Sequence, residues 1–421
     1  MRSTLLRSAA FALLAAPLLA GCAADDETVI APELEPAHAL FARYVALGNS
    51  ITAGFQSNGI NATTQAQAYP LLVAQAARAP FYAPFFQRDP RGGPGGCPPP
   101  LAQPFSPATV DTVTNGCSLR VADNAPYVSN LAVPGATIAS GTGAAAANAL
   151  TTFILGGRTQ AQAMVAAQPT LVTVWLGNND ALGAALSGDP ARLTSTTEFQ
   201  ASLDALVAQI NSTPAAPNDA VVLIGVVNPT VVPALMPAVF PFLVRQNPAT
   251  APLLPKPVSN TCAPAPQNPN LANFVSISVL SSTSDSIYCS PDRPFVLTPA
   301  EMAAIAQRVG EFNAAIQARA SSNGWAYVDP NALLTPFLAD ANSIRKCQAL
   351  PAALATGNQA AIAQAAATTC PSPDPAAGFG SLFSYDGVHP SARAHVLLAN
   401  AVIKALNGKF TGLGVDTLRV Q

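Results

Sequence analysis

The chain contains three histidines, His38, His389 and His395, and one of them has the surroundings that a proton-transfer group needs. His389 stands in SYDGVHPSARAHV, with Asp386 three residues before it and Pro390 directly after it. A carboxylate on the preceding turn can reach the imidazole, hold one tautomer and support the charged ring during proton transfer. Proline suits the first helical position, which predicts His389 at a helix entrance with Asp386 on the turn before it. His38 falls in the acidic stretch over 23–40 and His395 in an Ala-rich helical pattern. A base of this kind needs a nucleophile, and Ser50 in GNSITAGF is the candidate. The preceding YVALG reads as a strand, so Ser50 occupies a strand-to-helix turn at the carboxyl edge of a sheet. A hydroxyl there lies beside the free N–H groups of a helix start. Taken singly, each motif has a plainer reading: Ser50 as a helix N-cap, and Asp386-Gly387 as a turn in front of the C-terminal helix.

The elements that must position these residues are legible as an alternation. Apolar runs, most of them rich in β-branched residues, recur at 44–48, 127–133, 171–177, 220–227 and 325–330. Such runs suit strands buried on both faces of a parallel sheet. Between them, Ser195 with Glu198 forms a capping box before TEFQASLDALVAQIN. Thr298 with Pro299 and Glu301 forms a second before MAAIAQRVGEFNAAIQARA. Strand followed by helix, repeated, predicts an α/β fold: a three-layer α/β/α sandwich on a central parallel sheet of about five strands. Three stretches break the alternation, near 80–125, 229–296 and 334–382, and all are rich in Pro, Gly, Ser or Ala. They read as loop-rich insertions in one domain spanning 41–410, followed by a tail at 411–421. No repeat of fixed period is present.

Composition removes several classes of function. Lys and Arg number 20 against 22 Asp and Glu, so no basic field exists to neutralise a run of phosphates, and nucleic acid is not expected as a partner. Scattered acids and few histidines give no metal-ligand spacing, so neither a metal nor another cofactor is expected. Residues 1–22 carry Arg2 and Arg7, then an apolar stretch too short to span a bilayer, and end at LLAGC. This resembles a bacterial lipoprotein signal, which implies cleavage before Cys22, a diacylglycerol on its thiol, and an acidic tether over 22–40. Ala23 rather than Asp follows the cysteine, so an outer-membrane location is expected. Six cysteines remain of the seven, an even number that reads as disulfides in an exported chain. Six cysteines allow fifteen connectivities. Sequence neighbours share the same insertions, which predicts Cys97 with Cys117, Cys262 with Cys289, and Cys347 with Cys370.

Beyond GNSITAG and DGVH, two further blocks stand in order along the chain: NLAVPGAT, containing Gly135, and WLGNNDAL, containing Gly177, Asn179 and Asp180. Together the four resemble the SGNH or GDSL hydrolases, with Asn49 in place of the Asp in the usual GDSxxxG. The resemblance implies a flavodoxin-like hydrolase fold and a Ser50, His389 and Asp386 triad. It also implies an oxyanion hole made by the N–H groups of Ser50 and Gly135 with the Asn179 amide, and a small-molecule or lipid ester as substrate. Asp180 is read as bracing its loop, and Trp175 and Trp325 as core. The apolar segments PFYAPFF (80–86) and VVPALMPAVFPFLV (231–244) are candidates either for an acyl pocket or for burying their loops, the second being the commoner use. Two alternatives remain open: a carbohydrate O-acetylesterase, and a surface lipoprotein that keeps the fold as a binding module without catalysis.

Overall fold

The computed structural model of the chain describes residues 36–88, 97–106, 117–120, 125–143, 149–213, 220–265 and 267–420. Cys22 and the leader lie outside the described residues. Four strands, β1 (Tyr44–Gly48), β2 (Leu171–Trp175), β3 (Val221–Ile224) and β4 (Ala326–Val328), form one sheet in chain order, with every neighbouring pair parallel. The helices that flank or follow these strands are α1 (Ser50–Ala53), α2 (Tyr69–Ala76), α3 (Gln160–Ala167), α4 (Asn179–Ser187), α5 (Thr196–Asn211), α6 (Pro299–Ser322) and α7 (Ala392–Lys409).

Alternate side chains of a strand point to opposite faces, and here both faces are buried. Val45, Leu47, Val172, Val174, Val221 and Leu223 pack in one core with Met164 of α3, Leu206 of α5 and Phe312 of α6. Tyr44, Ala46, Leu171, Trp175, Val222 and Ile224 pack in the other with Val73 of α2 and Val402 and Ile403 of α7. The result is the three-layer sandwich. Both capping boxes form: Ser195 accepts from the Glu198 N–H at the start of α5, and Thr298 accepts from the Glu301 N–H at the start of α6. Trp175 and Trp325 are buried.

The sheet has four strands, not five. Residues 127–133 run beside β1 and donate from Leu131 to Ala46 and from Val133 to Gly48, but the only bridge is Ala46 with Asn130. Asn130 accepts from the Ala132 N–H and donates its amide to the Thr52 carbonyl. That local bond bends the chain away from a ladder, as short polar side chains commonly do. A second departure concerns Pro390, which lies outside α7. Ser391 is the N-cap and accepts from the Ala394 N–H, so the helix starts at Ala392. The expected tether is also shorter at its far end: Ala37 donates to the Ala77 carbonyl and Leu40 is buried.

The three cysteine pairs are Cys97–Cys117, Cys262–Cys289 and Cys347–Cys370. In the second insertion, strands at Leu235–Pro237, Phe274–Ser276 and Val296–Leu297 form a small antiparallel sheet. The third holds helices Leu350–Thr356 and Gln359–Thr369. The PFYAPFF segment is core, with Phe81, Phe85 and Phe86 buried against the two faces of the sheet. Among the described residues no helix is long and apolar enough to cross a membrane.

Candidate active site

β1 ends at Gly48, and the chain turns at once into α1. A side chain at Gly48 would overlap Thr52, its Cβ falling 2.1 Å from the Thr52 hydroxyl oxygen. Gln160 of α3 holds the strand end by pairing with both Gly48 backbone groups, at 2.8 and 2.9 Å. Asn49 is the N-cap of α1, its side-chain oxygen accepting from the Ile51 N–H at 3.1 Å. Asn caps as well as Asp does, so the departure from GDS costs the turn nothing. It also means that Ser50 is not the cap. Its hydroxyl is left for other work, on a residue 8% exposed.

That hydroxyl meets His389. Ser50 Oγ lies 2.9 Å from His389 Nε2, and His389 Nδ1 lies 2.8 Å from Asp386 Oδ2. The carboxylate is further held by N–H donors from Asn58 at 2.7 Å, Val388 at 2.8 Å and His389 at 2.8 Å, and by the Ser384 hydroxyl at 3.2 Å. Burial alone would push the Asp386 carboxyl up. The positive charge that His389 carries when protonated and the hydrogen bonds from His389 and Val388 outweigh it and hold the group at about 2. Asp386 is therefore an anion at neutral pH, an acceptor that selects the imidazole tautomer with its proton on Nδ1 and its lone pair on Nε2.

Ser57, Asn58 and Ser384 are contributors that the sequence reading did not single out. Ser57 donates its N–H to Ser384 Oγ at 2.8 Å and accepts from the Tyr385 N–H at 3.1 Å. Ser57 and Asn58 both have left-handed backbones, with φ of 53° and 57°. Asn tolerates that region, and the conformation accompanies the Asn58 N–H bond to the carboxylate. The SNG tripeptide is a turn signal, but nothing in it points to a partner more than three hundred residues away. The Phe55 ring, also unforeseen, packs on the His389 ring with centroids 4.8 Å apart.

The two remaining blocks meet at the same sheet end. β1 and β2 are in register with Gly48 opposite Trp175, and Val133 donates to Gly48 on the other side. Gly135 and Asn179 thus follow from positions flanking Gly48, as Ser50 does. Gly135 has φ of +81°, a left-handed conformation that glycine adopts without strain. Asn179 is the first residue of α4 and donates one amide proton to the Ala136 carbonyl at 2.8 Å, which leaves its second N–H. Asp180 accepts from the Ile138 N–H and from the Thr194 hydroxyl, both at 2.9 Å. Burial pushes its carboxyl up to about 6, against the lowering effect of those hydrogen bonds. Asp180 does not touch the Ser50–His389 pair and ties the Gly135 loop to α4. Gly177 has φ of +107°, and a Cβ there would sit 2.7 Å from Val226 and 2.9 Å from Phe199, so this position admits only glycine without repacking.

The three-layer α/β fold thus brings a serine, an imidazole and a buried carboxylate into one hydrogen-bonded series. The chain matches the GDSL-like Lipase/Acylhydrolase family over residues 44–402 and belongs to it, and with that membership it is an ester-bond hydrolase. Solved structures similar to it include the acetylxylan esterase of Geobacillus stearothermophilus, at 13% identity over 90% of this chain and 96% of that one, with a TM-score of 0.34. The extracellular lipase of Streptomyces rimosus is similar at 14% identity over 87% of this chain and 99% of that one, with a TM-score of 0.34. An alpha/beta hydrolase from the metagenome of Lake Arreo, Spain, is similar at 12% identity over 90% and 100%, with a TM-score of 0.37. No curated protein is similar enough to the chain to count as a relative.

Proposed function

We propose that the protein is a serine carboxylesterase working through Ser50, His389 and Asp386. The observation that carries this reading is the continuous relay from Ser50 Oγ to His389 Nε2 at 2.9 Å and from His389 Nδ1 to Asp386 at 2.8 Å. His389 takes the Ser50 proton as Oγ bonds to the ester carbonyl carbon, and the carbonyl electron pair moves onto oxygen. The N–H groups of Ser50 and Gly135 and the free Asn179 amide proton stabilise that oxyanion. Collapse expels the alkoxide, which takes the proton from His389 and leaves an acyl-Ser50. His389 then takes a proton from water as the water oxygen bonds to the acyl carbon; the bond from that carbon to Ser50 Oγ breaks, the carboxylic acid leaves, and His389 gives its proton to Oγ. A binding module without catalysis has no use for an ordered serine, imidazole and carboxylate relay of this kind.

An apolar cleft whose walls include Ile51, Val388 and Pro390, the chain neighbours of Ser50 and His389, favours an alkyl ester over an acetylated sugar. It is lined by Ile51, Val232, Val388, Pro390 and Leu398, among others. Apolar walls reward methylene groups and offer nothing to a row of sugar hydroxyls. The test is hydrolysis of a p-nitrophenyl acetate, butyrate and octanoate series by the protein and by Ser50→Ala. Turnover by the parent and none by the variant is the expected result, and equal turnover by both would reject the nucleophile. The leader supports a lipid anchor on Cys22 at the outer membrane; on this reading Cys22→Ser shifts the protein from the membrane to the soluble fraction of the producing cell. Full retention in the membrane would reject the anchor.

A further inference from the structure

The two oxygens of Asp386 are held from different parts of the chain. Oδ1 takes the N–H groups of Val388 and His389, which come from its own turn, and the hydroxyl of Ser384. Oδ2, the oxygen that meets His389 Nδ1, has one other donor among the described residues, the Asn58 N–H at 2.7 Å. The place of Oδ2 is therefore set from outside the DGVH segment, by a turn 328 residues earlier. Ser57 joins that turn to the site: it donates its N–H to Ser384 Oγ at 2.8 Å and accepts from the Tyr385 N–H at 3.1 Å.

The same turn is bonded to the first insertion. The Ser57 carbonyl accepts from the Leu101 N–H at 2.7 Å, Ile60 donates to the Pro98 carbonyl at 2.9 Å, and Cys97 donates to the Ile60 carbonyl at 2.8 Å. Gly59 is pressed against this segment, where a Cβ would fall 2.4 to 2.5 Å from backbone atoms of Pro98, Pro99 and Pro100. Residues 98–101 are only half-buried, so burial alone holds them weakly. Cys97 supplies the firmer hold. Its bridge runs to Cys117, which opens a strand (Cys117–Arg120) paired with Phe85–Arg88, and Phe85 and Phe86 are buried in the core.

Resting on the esterase reading above, we propose that Ser57 and Ser384 are positioning residues for Asp386, and that the Cys97–Cys117 bridge serves turnover by holding residues 97–101 against the turn that carries Asn58. One hydroxyl does two things here: Ser384 Oγ accepts from Ser57, which places the Asn58 N–H, and donates to Asp386 Oδ1. Opening the bridge acts along the same path. The 97–101 segment slackens, the turn follows it, and Oδ2 leaves the line of Nδ1. None of these groups is the nucleophile or an oxyanion donor, so the loss falls on proton transfer and not on affinity for the ester.

The test compares the parent with Ser57→Ala, Ser384→Ala, Gly59→Ala and the double change Cys97→Ser with Cys117→Ser, each checked for folding by near-UV circular dichroism. One readout is kcat and KM on p-nitrophenyl butyrate. The other is the far-downfield resonance of the proton between His389 Nδ1 and Asp386, assigned by its loss in Asp386→Ala. In each variant kcat should fall by about tenfold or more while KM stays within about twofold, because a small misplacement of an acid–base pair is costly. The resonance should move upfield or broaden away through exchange with water. Gly59→Ala disturbs the contact between turn and insertion with the bridge intact, so it decides that step even if the double variant does not fold. A parent-like resonance in folded Ser384→Ala or Gly59→Ala, or a loss carried by KM alone, would overturn the proposal and leave the esterase reading standing. If the parent turns over no ester, the esterase reading falls. The resonance still decides the positioning role in that case, because it reads the pair without substrate.

Discussion

Asp386 receives more donors than a charge balance requires. Backbone N–H groups of Asn58, Val388 and His389 share its two oxygens with the imidazole and with Ser384. A carboxylate so fixed cannot rotate away from Nδ1, and that geometry, more than charge, is what a relay needs. Asp386→Asn should therefore fold and bind substrate but lose about ten-thousandfold in kcat, because an amide donor imposes the wrong tautomer on His389. Steady-state kinetics on a p-nitrophenyl ester measures it, and a loss below tenfold would show that the carboxylate is not part of the reaction. A second residue-scale prediction concerns Asp180, which anchors Ile138 and Thr194. Asp180→Ala should lower kcat by roughly tenfold or more with little change in KM, since a small displacement of the Gly135 loop misplaces an oxyanion donor. At this scale the sequence was informative wherever a side chain and its partner lie close in the chain, as Asp386 and His389 do. The Asn58 contact was not legible, because a main-chain N–H leaves no mark on residue type.

Elements were legible through their ends. Side-chain caps are local chemistry, so Ser195 and Thr298 could be matched with Glu198 and Glu301 from spacing alone. Residues 127–133 misled because apolar, β-branched content does not report the Asn130 side chain bending its own backbone. Pro390 misled because Ser391, one residue on, is the better cap. One element carries its own pH dependence. His395, inside α7, accepts from the Tyr69 N–H at Nδ1 and is fully buried, with its Nε2 unpartnered. Burial, with a smaller contribution from His389, depresses its pKa to about 3, against an ordinary value of 6.5. A group depressed in the fold is neutral there while the unfolded chain already takes up a proton. Stability from this site is thus complete above pH 6.5 and drains away as pH falls toward 3, by on the order of a kcal/mol per pH unit. His395→Asn keeps an acceptor for Tyr69 but cannot titrate. Denaturant unfolding across that range should show a flatter pH profile for the variant, whatever its absolute stability, and parallel profiles would refute the account.

At the scale of the whole molecule, the parallel sheet was predictable because strands buried on both faces must be apolar throughout. The insertions were recognisable by composition, but their internal order was not, since short strands such as Leu235–Pro237 exist only through pairing with distant partners. Sequence neighbours did pair among the cysteines, as short loops favour. The Cys347–Cys370 bridge closes a separation of 23 residues, and opening it with the double change to Ser should destabilise the fold by about 3 kcal/mol in chemical denaturation. An unchanged midpoint would mean that packing alone holds this insertion. The central claim is itself a whole-molecule one, that folding delivers His389 to a hydroxyl 339 residues away and makes that hydroxyl uniquely reactive. Mass spectrometry after treatment with an organophosphorus fluoridate tests it most directly, because fluoride leaves only if a serine oxygen is activated to attack phosphorus. A single adduct is expected on the peptide containing Ser50, lost in Ser50→Ala and strongly slowed in His389→Ala. An unlabelled Ser50 peptide, or labelling that persists without His389 at the parent rate, would contradict it.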